Sequence, residues 1–505
     1  MQYVIGCDFG TQALKLMLVS EEGVVAASAS ESYPVDYPAP AWAEQDPRHW
    51  RRAFVNGVRK IIKDTGLSPK NIKAVGIDAT VDGVVPVDSN GVPLRNAIIW
   101  MDRRANAQCE LIKCKTTEDG IFALTGVNID SSHVAPKILW IKDNEPVVYE
   151  KTHKFLMPCS FILHELTGAY GIDYSNASST MLFNIHTRKW DEYLLELFGI
   201  LKDKLVDIYP ADMILGKLTK SIAEETGLST ETTVIVGSGD EHAACIGAGV
   251  IDRGLLCDIA GTSEPVCAAS PEVIFDDKKL IETHCHAKAD MYLIENPGFV
   301  SGANYTWLKD NFGLQEKKVA AELGINSFDV LNLQAEKCPP GSDGVIFLPC
   351  MMGAMVPEWN AGARGVIYGL TLKHTRGHII RAIMEASAYG LMDIVEGMED
   401  IGVKCDEIRT VGGGAQSRLW RKIKSSVTGK VVALPQVTET AAFGAAIMAL
   451  VANGNYTDLR EAVSSIVRII DYIEPDAREH EIYNEFYRMY RDLYFQLKPI
   501  FDRKR

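Results

Sequence analysis

Short apolar runs that end on glycine, alternating with stretches of helical period, are the dominant pattern of this 505-residue chain. Val4 to Phe9, Leu14 to Ser20 and Val24 to Ser30 read as the three strands of a meander. Leu256 to Ile259 repeats the opening strand and its glycine turn about 250 residues later. Ile72 to Asp78, Val84 to Val87 and Thr232 to Val236 also have strand length and composition. Trp50, Phe54, Val58 and Ile61 fall on one face of a helix that Asp46-Pro47 begins, and long helices are predicted around Arg376 to Ile401 and Glu439 to Asn453. Tyr483, Phe486, Tyr487, Tyr490 and Tyr494 recur at helical spacing and place a final helix at about 477–500. Strands alternating with helices, opened twice by the same hairpin, predict two α/β domains over 1–250 and 254–455, since a chain this long outgrows a single core. Gly247, Gly249 and Gly254 mark the expected hinge, and closure about it would shut a cleft between the domains.

The glycine turns carry the candidate chemistry. In Val236-Gly-Ser-Gly-Asp-Glu-His242, Gly237 and Gly239 turn a strand into a helix of small residues, which leaves Asp240 either capping that helix or pointing into a cleft as a base. Asp8-Phe-Gly10-Thr11-Gln12 and Asp258-Ile-Ala-Gly261-Thr262-Ser263 each run a strand into a Gly-Thr turn. Glycine lets the backbone approach a phosphate closely while N–H groups and the threonine hydroxyl donate, so two such hairpins suit a polyphosphate gripped from opposite sides. Val411-Gly412-Gly413-Gly414-Ala415 precedes a helix expected over Arg418 to Thr428, and its bare turn offers a flat ring a place against the backbone, a candidate adenosine pocket. Neither the G-x-G-x-x-G fingerprint nor a G-x-x-x-x-G-K-[ST] P-loop occurs.

Composition narrows the partners. The chain is 47% hydrophobic and 23% charged with a net charge of -14 and no long Lys/Arg run, which disfavours nucleic acid and anionic membranes and favours small molecules. Eleven cysteines without C-x-x-C pairing read as reduced thiols. The N-terminus enters a strand with no signal-like segment, and the longest apolar run, Ala441 to Ala452, has only 12 residues, so the cytoplasm is the expected compartment. His284 and His286 alternate with Cys285 on an expected strand over Ile281 to Ala287, a poor geometry for joint metal ligation.

At this point the residues resemble the FGGY carbohydrate kinases of the actin and sugar-kinase superfold, most nearly the xylulokinases. The C-terminal family signature is matched by Gly365-Val-Ile-Tyr-Gly369-Leu370, seven residues, then His378-Ile-Ile-Arg-Ala-Ile-Met-Glu385. The N-terminal signature is matched by Lys137-Ile-Leu-Trp140-Ile-Lys-Asp143-Asn144, with Val134 where the pattern prefers Pro, Ser or Thr. The similarity runs from Asp8 to about Leu450 and includes Glu44-Gln45-Asp46-Pro47 and Ala97-Ile-Ile-Trp100.

The resemblance implies two actin-like, ribonuclease H-like domains with a ligand cleft between them, sugar held mainly by the first and nucleotide by the second. It implies ATP-dependent phosphorylation of a terminal hydroxyl of a small sugar, with Asp240 as general base and Asp8 near Mg2+ through water. Gly10, Thr11, Gln12, Gly261, Thr262 and Ser263 would hold phosphates, and Gly302, Gly412, Gly413, Gly414 and Ala415 would line adenosine. Val81, Asp82, Gly83, Trp100, Asp102, Asp240 and Glu241 would meet the sugar. Here the pattern departs: xylulokinases have Met-His-Gly and Trp-Asn-Asp where this chain has Val81-Asp82-Gly83 and Trp100-Met101-Asp102. Glycerol kinases carry a carboxylate at the Asp82 position and a Trp-x-x-Arg-Arg like Trp100-Met-Asp-Arg103-Arg104, but have Arg in place of Val81 and Tyr-Phe-Ser in place of Ser132-His133-Val134. A ketopentose such as D-xylulose is therefore the first expected acceptor and a polyol of the glycerol or erythritol type the alternative. A sugar-sensing actin-fold protein without catalysis is the alternative of another class. The expected partners are sugar or polyol and MgATP, with a homodimer left open.

Overall fold

The computed structural model describes residues 1–503, and in it the opening meander forms as expected: strands Tyr3–Phe9, Ala13–Ser20 and Val25–Ser32 pair antiparallel in sequence order. Ile72–Ala79 adds in parallel to the other side of Tyr3–Phe9, followed by Thr233–Ile235 and Ile214–Lys217, and the short Ser238–Gly239 also pairs with Ile72–Ala79. A second sheet of the same size has the order Glu282–Cys285, Tyr292–Asn296, Val266–Ser270, Gly254–Ile259, Cys405–Val411, Val431–Pro435, Ile469–Ile473.

The two sheets share the order of their central strands, and the second adds Glu282–Cys285 at its edge. Asp8 lies opposite Asp78 on the parallel neighbour, and Asp258 lies opposite Thr410 in the same relation. The molecule is thus two actin-like α/β domains. Val85–Val87 departs from the expected alternation, because it pairs with Lys154–Leu156 in a separate two-stranded sheet. Helix Ala477–Phe501 buries Tyr483, Tyr487, Tyr490 and Tyr494 against the second domain, where the Tyr483 hydroxyl accepts from Arg381 at 2.6 Å. Among the described residues no helix is long and apolar enough to cross a membrane.

Two helices of small residues hold the halves together. Thr440–Ala452 lies in sequence between strands Val431–Pro435 and Ile469–Ile473 of the second sheet yet packs on the first, next to helix Asp240–Ala248. Small residues let helix and strand backbones come close enough to exclude any added carbon. A Cβ on Gly6 would lie 1.9 Å from the Ala442 carbonyl oxygen, on Gly76 1.9 Å from that of Ala445, on Gly444 1.9 Å from that of Ala243, and on Gly247 2.0 Å from that of Thr440. Gly247 is therefore a packing contact inside a helix, not the hinge its position suggested. Gly249 and Gly254 do take positive φ angles, 77° and 95°, as the helix ends and the next strand begins.

Gly444→Ala is expected to destabilise the fold by about 1–3 kcal/mol through overpacking, despite alanine's better helix propensity. Gly413→Ala, whose added Cβ meets nothing within 4 Å, should leave stability near wild type. Denaturant midpoints of the two variants check the difference.

Candidate active site at the strand ends

Parallel pairing brings two carboxylates side by side at the ends of strands Tyr3–Phe9 and Ile72–Ala79, and the turn at Gly237–Gly239 brings a third. Gly237 must be glycine: its φ is 84° and a Cβ would lie 2.3 Å from the Ile77 carbonyl oxygen. The helix cap is Gly239, so Asp240 begins the helix without capping it, and its Oδ1 accepts only from the Glu241 N–H at 3.1 Å. Burial first, then Glu241 and Asp8, hold the Asp240 carboxyl well above the usual carboxylate range. Burial likewise pushes Asp8 up to about 6, against the lowering effect of Lys15.

Asp78, which the sequence reading left as an ordinary strand residue, is fully buried, and neither of its carboxylate oxygens has a hydrogen-bond donor. Burial, then Asp8 and Asp240, drive its pKa well up. Three buried carboxylates with raised pKa values, one of them without a hydrogen-bond donor, have the chemistry to face a hard divalent cation. Among the described residues no three His, Cys, Asp or Glu side chains converge as a metal cage.

The candidate phosphate turns are braced from behind. Gly10 N–H donates to the Ala13 carbonyl at 3.1 Å, the Tyr33 hydroxyl to the Gly10 carbonyl at 2.6 Å, and the Gln45 amide to the Thr11 carbonyl at 2.6 Å. Gln12 accepts from the Tyr33 N–H at 3.0 Å and is otherwise exposed. In the second domain the candidate nucleotide segments bond to one another. Gly302 N–H donates to the Gly261 carbonyl at 3.1 Å, Ala303 N–H to that of Thr262 at 3.1 Å, and Gly414 N–H to that of Ala260 at 2.9 Å. A Cβ on Gly302 would lie 2.3 Å from the Gly261 oxygen. Ser263 forms an isolated bridge with Val300, and Gly413 and Ala415 follow Gly412, whose φ is 79° and whose N–H donates to Thr438 at 3.0 Å. The next residue, Glu439, pairs with Lys15, the residue opposite Asp8 in the hairpin, so one short loop ties the second domain's nucleotide segments to the first domain's phosphate turn.

At Asp258, the counterpart of Asp8, the chemistry differs. Its Oδ2 accepts from Lys424 Nζ at 2.5 Å and Thr410 Oγ1 at 2.9 Å, and Lys424 also lies 2.9 Å from Glu264 Oε1. This buried ion pair braces the strand before Gly261-Thr262-Ser263, whereas Asp8 and Asp78 are left for a ligand.

On the acceptor side, Trp100 Nε1 donates to Thr11 Oγ1 at 3.0 Å, so the indole and the phosphate turn abut. Asp82 occupies a left-handed turn, φ 64°, with its carboxylate 3.2 Å from His133 Nδ1. Against burial, which opposes the charge, Asp82 pushes the His133 imidazole up to about 9. Lys137, first residue of the N-terminal signature, donates to the Asp82 carbonyl at 2.6 Å, and burial pulls its pKa down to about 7. Gly83 packs where a Cβ would lie 2.5 Å from Pro158, and Val81 covers Gly239. Asp102 turns away from the cleft: its carboxylate is fully buried, accepting from Ala43 N–H at 2.6 Å and from the Arg104 guanidinium at 2.7–2.9 Å, which fixes the loop that presents Trp100. Sequence reasoning missed His133 and Asp78 because each acquires meaning only from a partner far away in the chain.

The comparisons agree with this geometry. Residues 3–247 match the N-terminal domain and 258–453 the C-terminal domain of the FGGY family of carbohydrate kinases. The chain is 31% identical to the xylulose kinase of Staphylococcus epidermidis, over 99% of this chain and 98% of that protein. It is 31% identical to the gluconokinase of Bacillus subtilis, over 92% and 90%. The crystal structure of xylulose kinase from Rhodospirillum rubrum superposes with a TM-score of 0.88 at 28% identity, covering 99% of this chain and all of that one. With both family domains matched along nearly its whole length, the chain belongs to the FGGY carbohydrate kinases, ATP-dependent phosphotransferases.

Proposed function

We propose that this kinase transfers the γ-phosphoryl group of ATP to a terminal hydroxyl of a small neutral sugar, with a ketopentose such as D-xylulose as the first candidate. The observation that carries the proposal is Asp240, uncapped at a helix start and beside the Asp8–Asp78 pair. Asp240 accepts the proton of the acceptor hydroxyl as its oxygen forms the new bond to the γ-phosphorus, the bond to the β-phosphate oxygen breaks, and ADP leaves. Its raised pKa makes its ionised form a stronger base than an ordinary carboxylate. Mg2+, held through water by Asp8 with Asp78 beside it, would neutralise phosphate charge. Gly10 to Gln12 and Gly261 to Ser263 orient the phosphates, and Gly302 and Gly412 to Ala415 hold adenosine. Glycerol- or erythritol-type polyols are the second reading, favoured by the Asp82 carboxylate where xylulokinases have histidine. A cytoplasmic metabolic role fits either acceptor.

Asp240→Asn should keep ATP binding but lower kcat by about 10²- to 10⁴-fold, the usual worth of a positioned base. Acceptor-dependent ADP release measures it, and a rate independent of every sugar would favour a sensor or chaperone-like ATPase instead.

Thr262→Val removes one hydroxyl from the second phosphate turn and should weaken ATP binding while leaving sugar affinity nearly unchanged, as calorimetry with each ligand would record. The opposite pattern would exchange the domain roles.

Because the His133 pKa is raised to about 9 in the folded state, its pairing with Asp82 adds stability that is complete below the unfolded pKa, about 6.5, and is lost as pH rises through about 9. Asp82→Asn, which tolerates the positive φ, should lower the His133 pKa, flatten that alkaline loss and alter the ranking of acceptors. Imidazole titration by NMR and denaturation across pH 6 to 10 test it.

A further inference from the structure

Asp240 and Asp82 are joined by a run of ionisable side chains whose middle members come from the second domain. Glu241, beside Asp240, acts electrostatically on the Glu295 carboxyl. His284 Nε2 lies 3.8 Å from Glu295 Oε2 and 3.6 Å from Glu282 Oε2. The His133 imidazole, paired with Asp82, acts in turn on Glu282. Glu282 and Glu295 sit directly opposite on antiparallel strands, a like-charge placement that costs stability in an ordinary sheet.

This arrangement is buried and incomplete. Asp82, His133, His284 and Glu295 are each less than a tenth exposed: 7%, 4%, 5% and 7%. His284 Nδ1 has no hydrogen-bond partner, and neither has either ring nitrogen of His242, whose ring packs edge-on to His284 with centroids 5.9 Å apart. Bare buried nitrogens cost free energy that a ligand's hydroxyls would recover. The strand is held in place by the first domain, through Thr283 N–H to the Gly126 carbonyl at 2.9 Å and the Asn128 amide to Glu282 Oε1 at 2.8 Å.

We infer that Glu282, His284 and Glu295 complete the acceptor pocket from the second domain and select uncharged polyols and ketoses against sugar acids, an inference that rests on the kinase reading above. The ionised Glu282 carboxylate only accepts hydrogen bonds, so this wall matches a ligand with hydroxyl donors. Burial first, and Glu241 second, hold the Glu295 carboxyl well above its usual range, so that it retains a proton. Burial opposes the charge on Glu282, but His284 and His133 keep it below its usual range and therefore ionised. An aldonate carboxylate placed here meets like charge, whereas a hydroxyl does not.

The test is an acceptor panel of D-xylulose, glycerol, erythritol and D-gluconate, run with wild type, Glu295→Gln and Glu282→Gln. Wild-type kcat/KM for gluconate should lie roughly 10²-fold or more below that for the best neutral acceptor. The gap should narrow by about tenfold in Glu282→Gln, which removes the ionised carboxylate, and change little in Glu295→Gln, whose carboxyl holds its proton, with KM for ATP near wild type in both. Gluconate turned over as well as the neutral acceptors would overturn the inference and leave the kinase reading intact. Unchanged acceptor ratios in both variants, or a uniform loss for all acceptors and ATP, would reduce these residues to seam packing and also overturn it. ADP release that ignores every acceptor would overturn the kinase reading itself.

Discussion

The close approach of two small-residue helices to the first sheet is the constraint on which the rest depends. Four glycines, Gly6, Gly76, Gly247 and Gly444, stand where any Cβ would enter a neighbouring carbonyl oxygen. Backbones at that distance leave no room for sliding, so the first turn of helix Asp240–Ala248 is fixed relative to the ends of strands Tyr3–Phe9 and Ile72–Ala79. The same contact places Glu439, just before helix Thr440–Ala452, against Lys15 in the first domain. The spacing of Asp240 from the ends of those strands is thus set by packing of glycine against main chain, the least compressible contact a protein interior offers.

The duplicated halves use one register for two purposes. At Asp258 the strand-end carboxylate is neutralised by Lys424 and hydrogen-bonded by Thr410, which makes a buried charge tolerable. At the equivalent place in the first domain Asp78 stands where Thr410 stands in the second, Lys15 opposite Asp8 pairs with Glu439, and burial with the neighbouring carboxylates drives the Asp78 pKa well up. A region left electrostatically unsatisfied in this way is poised for a cation and for proton transfer. The cost appears as the bare oxygens of Asp78.

Much of this was legible in the chain. The meander, the helix Arg418–Thr428 to the residue, the glycine turns and the family signatures follow from local periodicity and turn chemistry, which depend on neighbours within a few residues. Asp240 was legible as a carboxylate between strand and helix, but its role was not: only the observation that Gly239 is the cap frees its side chain. Asp102 read as a sugar contact because it follows Trp100, yet Arg104, two residues on, and the Ala43 N–H occupy it. Gly247 read as a hinge because glycine permits bending, whereas here it permits contact.

What the sequence by itself determined is the set of elements, their duplication and the chemical type of each turn, since these rest on short-range sterics and hydrophobic period. Only the tertiary structure decided which charged groups meet. Asp8 with Asp78, Asp82 with His133, and Glu241 with Glu295 are 70, 51 and 54 residues apart, and burial in a shared low-dielectric space turns them from surface-like residues into a site. Helix Thr440–Ala452 likewise lies within the second domain in sequence but packs on the first, because its small-residue faces fit only where Gly6, Gly76 and Gly247 leave the room.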